Sequence, residues 1–506
     1  MLEKEIIEKA AQKDLVVAKA ALTKLAECEH CDEVLEKALE SCSSPVLSLA
    51  LVEEIIESVE SSRKAKRITV FHGTDYKPAA AEIEGSMKIM DERDVAGKSR
   101  CTGNVEDFVN CFRDRFRRIS SVLKGRVSTN GVTSISSVKE LASGRQSRVV
   151  GMVFDKRETK NGHTIIELED EEDSMPVLIA KDSPLKAKAE EIIIDEVIAV
   201  DGSMSGSLFI ARDLVWPEMP FAQPRLVEDD LSIAFVSDTH VGSKLFMQDR
   251  FQRLLNFLNG EGSKKEQEIA GKIKYLAFAG DCVDGIGVYP SQEKELVTKD
   301  IYTQYEIFGE FIKKIPEYVE VVIIPGNHDA VRLAEPQPAL LPELAKNFNG
   351  LKNVHLGSNP AWTQVHGLKL LMYHGAGMHS LIGNLPMLKG AYEAPERAAV
   401  EMLRRRHLDP IYGDEPLAPE KRDYLVIEEP PDIFHFGDLH KNGYTTYRGT
   451  LVVNAGCWQS RTDYQVKKGH HPTPGLLPLY NIKTGNLQVL DFNAENIAEN
   501  AGVASQ

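Results

Sequence analysis

Cysteine is scarce in this sequence. Seven occur in 506 residues, with Cys28 and Cys31 as the one close pair, so no disulfide framework holds the fold and a reducing compartment fits. That CxxC, with His30 inside it, has no second pair at zinc-ribbon spacing, and helix-surface thiols are favoured over a metal site. Long apolar runs are also missing: nothing approaches the roughly 18 residues that would span a bilayer, and no basic-then-apolar leader opens the chain. The reading is a soluble, cytoplasmic protein without a membrane partner. Positive charge is in deficit, with 60 Lys and Arg against 76 Asp and Glu, a net of −16. This argues against a nucleic-acid coat held by bulk charge, though not against a nucleic-acid enzyme. What is present is 42% apolar and 27% charged residues, enough for several packed cores and three or four domains.

The charge is unevenly placed. Residues 1–62 carry 6 basic and 14 acidic side chains, net −8, and their apolar residues recur at helical spacing, which predicts an acidic helical domain suited to docking a protein. Residues 63–150 reverse the sign, with 18 basic and 10 acidic. Within them, 63–102 has no sustained period and reads as a flexible linker. Residues 103–145 read as a basic amphipathic helix and connector. Phe108, Phe112, Phe116, Ile119 and Leu123 share one face, and Arg113, Arg115, Arg117 and Arg118 are expected on a solvated flank. From 146 to 218 the texture turns to alternating apolar residues with Asn161-Gly162 as a hairpin signal, predicting a small OB-like barrel. Residues 151–230 hold 8 basic and 19 acidic residues and few aromatics, so this barrel suits protein contacts better than single-stranded nucleic acid.

Beyond 231 the chain repeats one device, a short apolar strand ending in a loop with Asp, His or Asn. LSIAFV leads to Ser237-Asp238-Thr239-His240, KYLAFA to Gly280-Asp281-Cys282-Val283-Asp284, VEVVII to Pro325-Gly326-Asn327-His328-Asp329, LKLLMY to His374-Gly375, and IFHF to Gly437-Asp438-Leu439-His440. Helical stretches at 247–258 and 301–314 alternate with the strands. The expectation is a layered α/β domain over 231–492 with these loops gathered at one sheet edge, followed by a disordered tail at 493–506. Any one loop is an ordinary turn or cap. Five in this order, with 11 of the 14 histidines beyond 231, point to a metal site.

This set of motifs resembles the calcineurin-like metallophosphoesterase superfamily, whose pattern is D-x-H, G-D-x-x-D, G-N-H-[DE], H and G-H-x-H. The resemblance implies two divalent transition-metal ions, Mn, Fe or Zn with Mn favoured for activity, since mixed imidazole and carboxylate donors suit these better than Mg. It implies that Asp238, His240 and His440 hold the first metal and Asn327, His374 and Asp438 the second, with Asp281 bridging. His328 would be the catalytic residue over the phosphate, and Asp284 and Asp329 supports for the ligands. One departure stands out: Asp438 occupies the position where the pattern has histidine. His435, two residues before Gly437, could supply the nitrogen instead, though a core role suits a strand-interior histidine better.

The runs FVSDTHVGSKLF, PGNHDAVRLAEPQPAL, YHGAGMHSLI and NAGCWQSRTDYQ, with the order helical domain, linker, barrel and phosphoesterase, are similar to the small-subunit family of the archaeal D-family DNA polymerases. That similarity implies a proofreading 3′–5′ exonuclease subunit of a two-subunit replicative polymerase. Its partners would be a large catalytic subunit and DNA with a single-stranded or mismatched 3′ end, placing it at the nucleoid. The basic and aromatic stretch 439–490 suggests Arg448, Trp458 and Arg461 as substrate contacts, while Arg404–Arg406 reads as an exposed helix face. Alternatives on the same fold are a stand-alone repair nuclease, a phosphoprotein phosphatase, or a scaffold silenced by Asp438.

Overall fold

The computed structural model describes residues 3–11, 13, 15–28, 31–41, 46–53, 55–56, 76–125, 132–497 and 502–503. Contacts divide the chain into two units, Met1–Gly73 and Thr74–Gln506. The first contains α1 (Glu3–Ala11), β1 (Val16–Val17), α2 (Lys19–Glu27), α3 (Cys31–Ser41) and β2 (Val46–Leu47), with β1 and β2 paired in parallel. Ile6, Ala10, Leu25, Val34, Leu35 and Ala38 form its core at helical spacing. Cys31 is buried and Cys28 packs against the same core, so these thiols are not the surface pair expected. His30 lies outside the described residues.

The larger unit begins by overturning the expected linker. Residues 63–75 lie outside the described residues, but 76–102 are packed: Tyr76, Ala80 and Val95 are buried, and β3 (Met87–Ile89) joins a sheet edge. The stretch lacks a period because it crosses several surfaces of the fold, burying isolated side chains as it goes.

The helix α4 (Val105–Gly125) follows. Its flank is solvated only in part: Arg113 and Arg117 are exposed as expected, but Arg115 is 1% exposed and Arg118 half-buried, with Asp423 and Glu428 as their partners at 2.7 and 2.6 Å. After β4 (Val132–Thr133) and α5 (Ile135–Lys139) come β5 (Gln146–Glu158), β6 (Thr164–Glu169), β7 (Ser174–Ile179), α6 (Lys186–Glu190), β8 (Val197–Ser205) and β9 (Leu208–Val215). Strands β5-β6-β7-β9-β8 close into a five-stranded barrel through β8 on β5, and β4 extends β5. Gly162 at φ 81° makes the β5–β6 turn, where Thr159 and His163 meet across the hairpin. The barrel is tied to the rest of this unit by Arg405, whose Nε meets Glu196 at 2.9 Å with both side chains buried, and by Arg404 over the Trp216 ring. Arg405 and Arg406 are 1% and 2% exposed, so the arginine run is an internal contact rather than an open face.

The remaining chain builds two sheets from β10 (Ser232–Val236), α7 (Gln248–Leu258), α8 (Lys264–Ala270), β11 (Ile273–Ala279), α9 (Ile301–Ile312), β12 (Glu320–Ile324), β13 (Val354–Leu356), β14 (Ala361–Val365), β15 (Leu368–Tyr373), α10 (Gly377–Asn384), α11 (Glu396–Arg405), β16 (Ile433–Phe436), β17 (Asn442–Tyr447), β18 (Thr450–Ala455), α12 (Asp463–Lys468), β19 (Leu476–Asn481), β20 (Leu487–Asp491) and β21 (Gly502–Val503). One sheet runs β13-β12-β11-β10-β19-β20-β21, the other β17-β18-β16-β15-β14-β3. Ile233, Phe235, Tyr275 and Val322 share a core with Leu370, Met372, Ile433 and Val453, so the sheets face each other. The alternate residues Ala234, Val236, Leu276 and Phe278 pack with Phe251, Leu255 and Phe308 of α7 and α9. Burial on both faces explains the continuous apolar runs. The expected disordered tail is partly packed: the Ile497 amide donates to Glu266, and Gly502–Val503 pairs with β20. No helix of the described residues is long and apolar enough to cross a membrane.

Candidate metal centre

Strands β10, β11 and β12 are mutually parallel, as are β15 and β16, so their carboxyl ends deliver the five polar loops to one place where the two sheets meet. Asp238, His240, Asp281, Asp438 and His440 all adopt positive φ, between 49° and 67°. That backbone is uncommon outside glycine, and its recurrence at the polar residues of three separate loops marks a built site. Close approach is secured by glycines: a Cβ on Gly326 would stand 2.2 Å from Asp281 Oδ1, and one on Gly437 would stand 2.5 Å from Asp238 Oδ2.

Donor atoms of Asp238, His240 and His440 lie within 4.8 Å of one another, as do those of Asp238, Asp281 and His374, and of His240, Asp281 and His328. These carboxylates and imidazoles could hold a metal ion. His374 Nδ1 donates to the Ala279 carbonyl at 2.8 Å, which turns Nε2 toward Asp281 Oδ1, 3.4 Å away. His240 Nδ1 donates to Asp284 at 3.1 Å, and its Nε2 lies 3.0 Å from that of His440. Each ring is thus oriented by its outer nitrogen and offers the inner one to the cluster. Asn327 Oδ1 lies 3.0 Å from His374 Nε2, the orientation in which it could ligate a metal; turned over, the amide nitrogen would instead donate to that atom and to both Asp281 oxygens.

The supports are buried and well bonded. Asp284 accepts from Gln459 at 3.0 Å and Gln292 at 3.1 Å, while Asp329 accepts from the amides of Cys282 and Gly326 and from the Tyr305 hydroxyl. Burial and then the Asp281 charge push Asp329 up to about 6. Burial acts to raise Asp281 too, but the His374 and His328 rings outweigh it and hold that carboxyl well below the usual range. Reciprocally, burial disfavours charge on His374, yet Asp281 draws its pKa well above the ordinary value.

Some expected residues are elsewhere. Trp458 is 1% exposed and packs edge-on against Phe251, so it belongs to the core and cannot stack on a base. Arg448 donates to the Met219 carbonyl at 2.9 Å and lies over Phe221, fixing the segment after the barrel. Arg461 is exposed, as are Tyr464, Lys467 and Lys468 of α12. His435 bonds the carbonyls of Val236 and Ala277 between the sheets, which makes it a core residue and removes it from the cluster.

Other participants carry no motif of their own. Gln459 and Gln292 have no metal-ligand signature. His379, which lies in the YHGAGMHSLI run and has no place in the phosphoesterase pattern, puts Nε2 2.8 Å from Asp438 Oδ2. A second histidine five positions after His374 is the signal the sequence offers.

Fold and site define a mixed α/β protein with a closed barrel and a buried Asp/His cluster at the strand ends. Residues 233–445 match the family of DNA polymerase alpha/epsilon B subunits. The DNA polymerase II small subunit of Methanocaldococcus jannaschii is 40% identical over 80% of this chain and 68% of its own length. That of Archaeoglobus fulgidus is 38% identical over 89% and 90%, and that of Methanothermobacter thermautotrophicus 37% over 82% and 87%. The chain belongs to the archaeal DNA polymerase II (family D) small-subunit family. Among solved structures, an archaeal phosphodiesterase aligns with 51% of this chain and 99% of its own at 12% identity and a TM-score of 0.27.

Proposed function

We propose that this polymerase small subunit is a metal-dependent 3′–5′ exonuclease that removes mismatched nucleotides for a large catalytic subunit. The observation that carries the reading is the convergence of Asp238, His240, Asp281, His374 and His440, from the strand-end loops, with overlapping donor groups each within 4.8 Å. In this reading the facing sheets form a calcineurin-like phosphoesterase, the acidic OB-like barrel and N-terminal unit serve protein contacts, and the substrate is DNA with a free 3′ end.

Asp238, His240 and His440 would hold one divalent ion and Asn327, His374 and Asp438 a second, with Asp281 available to both; Mn²⁺ is favoured. Two such ions, when bound, supply Lewis acidity at the scissile phosphate and lower the pKa of the attacking water. The protein's own groups do the rest. His328 donates from Nδ1 to the Asp284 carbonyl at 2.8 Å, which fixes the ring and leaves Nε2 as the atom able to deliver a proton to the departing 3′ oxygen. Its backbone amide donates to Asp281 Oδ1 at 2.9 Å, so the bridging carboxylate and the acid move as one piece. Asn327, His328 and Asp438 are the half-buried members of the site and so mark the side from which a DNA end enters.

The test is digestion of a 3′-mismatched primer with Mn²⁺ by wild type, Asp281→Ala and His328→Ala, with and without the large subunit. Stepwise loss of 3′ nucleotides that both substitutions abolish is the expected result. Absence of metal-dependent shortening from wild type in either setting overturns the reading.

A further inference from the structure

Asp438 is held by a side chain outside the ligand set. His379 sits on α10, a helix packed against the second sheet, and its Nε2 lies 2.8 Å from Asp438 Oδ2. Its other nitrogen is within 3.1 Å of the Tyr392 hydroxyl. The approach to Asp438 is an ion-pair contact and not an aligned hydrogen bond, for Oδ2 has no hydrogen-bond donor and His379 is its charged neighbour. The Tyr392 ring is itself stacked on His470, with centroids 4.5 Å apart and planes 20° apart. Asp438 is pinned from the other direction as well, since its backbone amide donates to Asp238 at 3.1 Å. With Oδ2 turned to His379 as its ion-pair neighbour, Oδ1 lies 3.7 Å from His374 Nε2.

We propose that His379 is a positioning residue for the second metal position: by holding Oδ2 of Asp438 it presents Oδ1 as a ligand beside His374. The inference rests on the metal-centre reading. A free aspartate can rotate about two torsions and offer either oxygen, whereas a carboxylate with one oxygen drawn to an adjacent imidazole in an ion pair turns the other toward the cluster. Partners of this kind that orient a ligand typically change metal affinity about 10–100-fold when removed. His379 is 40% exposed at its side chain, so its loss leaves no large cavity and the fold should persist.

The experiment is Mn²⁺ titration of the metal-stripped full chain by calorimetry, with bound metal counted after desalting. It compares wild type, His379→Ala, His379→Gln, Asp438→Ala and the His379→Ala/Asp438→Ala double variant. Wild type is expected to take two ions. In His379→Ala the affinity for one of them should fall about 10–100-fold while the other is unchanged. His379→Gln, which keeps a donor, should recover most of the loss, and the double variant should be no worse than Asp438→Ala alone. Two ions bound by His379→Ala with wild-type affinity, additive losses in the double variant, or loss of both ions in His379→Ala would each overturn the proposal. Failure of wild type to bind Mn²⁺ overturns the metal-centre reading along with it. Normal binding without primer digestion sinks the exonuclease reading and leaves this one intact.

Discussion

Arg115 and Asp423 form an ion pair at 2.7 Å in which each side chain is only 1% exposed. It joins α4 to the segment before β16, and the guanidinium also donates to the Pro410 carbonyl at 2.7 Å. Asp423 Oδ2 accepts from His407 at 2.9 Å as well, so one carboxylate serves two cationic or donor groups. Truncating either partner strands the other without solvent. Arg115→Ala or Asp423→Ala should therefore lower unfolding stability by about 3–5 kcal/mol, read as a shifted urea midpoint. An apolar pair such as Arg115→Met with Asp423→Leu should recover much of that, because the penalty comes from the unpaired charge.

The same cluster gives the fold a pH dependence. The Asp409 amide donates to His407 Nδ1 at 3.1 Å, so a proton there would face another donor. Burial first, and then Arg115, push His407 down to about 4. Unfolded, it titrates near its ordinary value of roughly 6.5, so between about pH 6.5 and 4 the unfolded chain binds the extra proton. Stability is full above that window and falls through it on acidification, by about 2 kcal/mol between pH 7.5 and 5. Asp423 lies well below the carboxylate range because burial, which raises it, is outweighed by His407 and Arg115, so its contribution is lost only below about pH 4. Urea unfolding at pH 7.5 and 5 should show the loss, and His407→Gln should reduce it. An unchanged slope in that variant would assign the dependence to other groups, with the buried His435, also pushed down to about 4, the next to test.

Asp284 acts on the cluster through His240. Its Oδ1 accepts from Nδ1 and is also held by Gln459, which fixes the ring with Nε2 inward. Asp284→Ala should weaken Mn²⁺ binding about 10–100-fold. Asp284→Asn retains an acceptor and should lose less. Direct titration of metal-stripped protein checks both, and equal affinity in wild type and Asp284→Ala would refute the orienting role.

The strand-end motifs were legible because each loop keeps its donors within a few residues of a continuous apolar strand, and parallel strands bring their carboxyl ends together. The closed barrel was legible for a similar reason: alternation and one turn glycine are local signals. Arg115, Arg405 and the packing of 76–102 were not, since each depends on a distant partner. Arg115 meets a carboxylate 308 positions away, and a run of arginines looks the same whether solvated or buried. Trp458 misled for a related cause. Its basic neighbours lie on the exposed face of α12, while its own side chain turns inward to Phe251 and Phe492. His379 escaped because its partner, Asp438, comes from another loop.

Gly326 isolates the geometry of the cluster from its chemistry. Its φ lies outside the left-handed region, so alanine is acceptable to the backbone, and the obstacle is space alone. A Cβ there would meet Asp281 Oδ1 at 2.2 Å, the Asp281 amide nitrogen at 2.6 Å and His374 Cε1 at 2.7 Å. Asp281 cannot retreat freely, because its Oδ1 accepts from the His328 amide, and His374 is tied to the Ala279 carbonyl. Gly326→Ala should therefore displace Asp281 and His374 together while leaving every residue of the cluster in the sequence. The expected outcome is a fall from two bound Mn²⁺ to one or none and loss of primer digestion. Crowding of this kind typically costs about 1–3 kcal/mol of stability, so the chain should remain folded by circular dichroism. Retention of both ions at wild-type affinity would show that the two loops can separate, and that the close approach of Gly326 to Asp281 is not what holds the ligands in register.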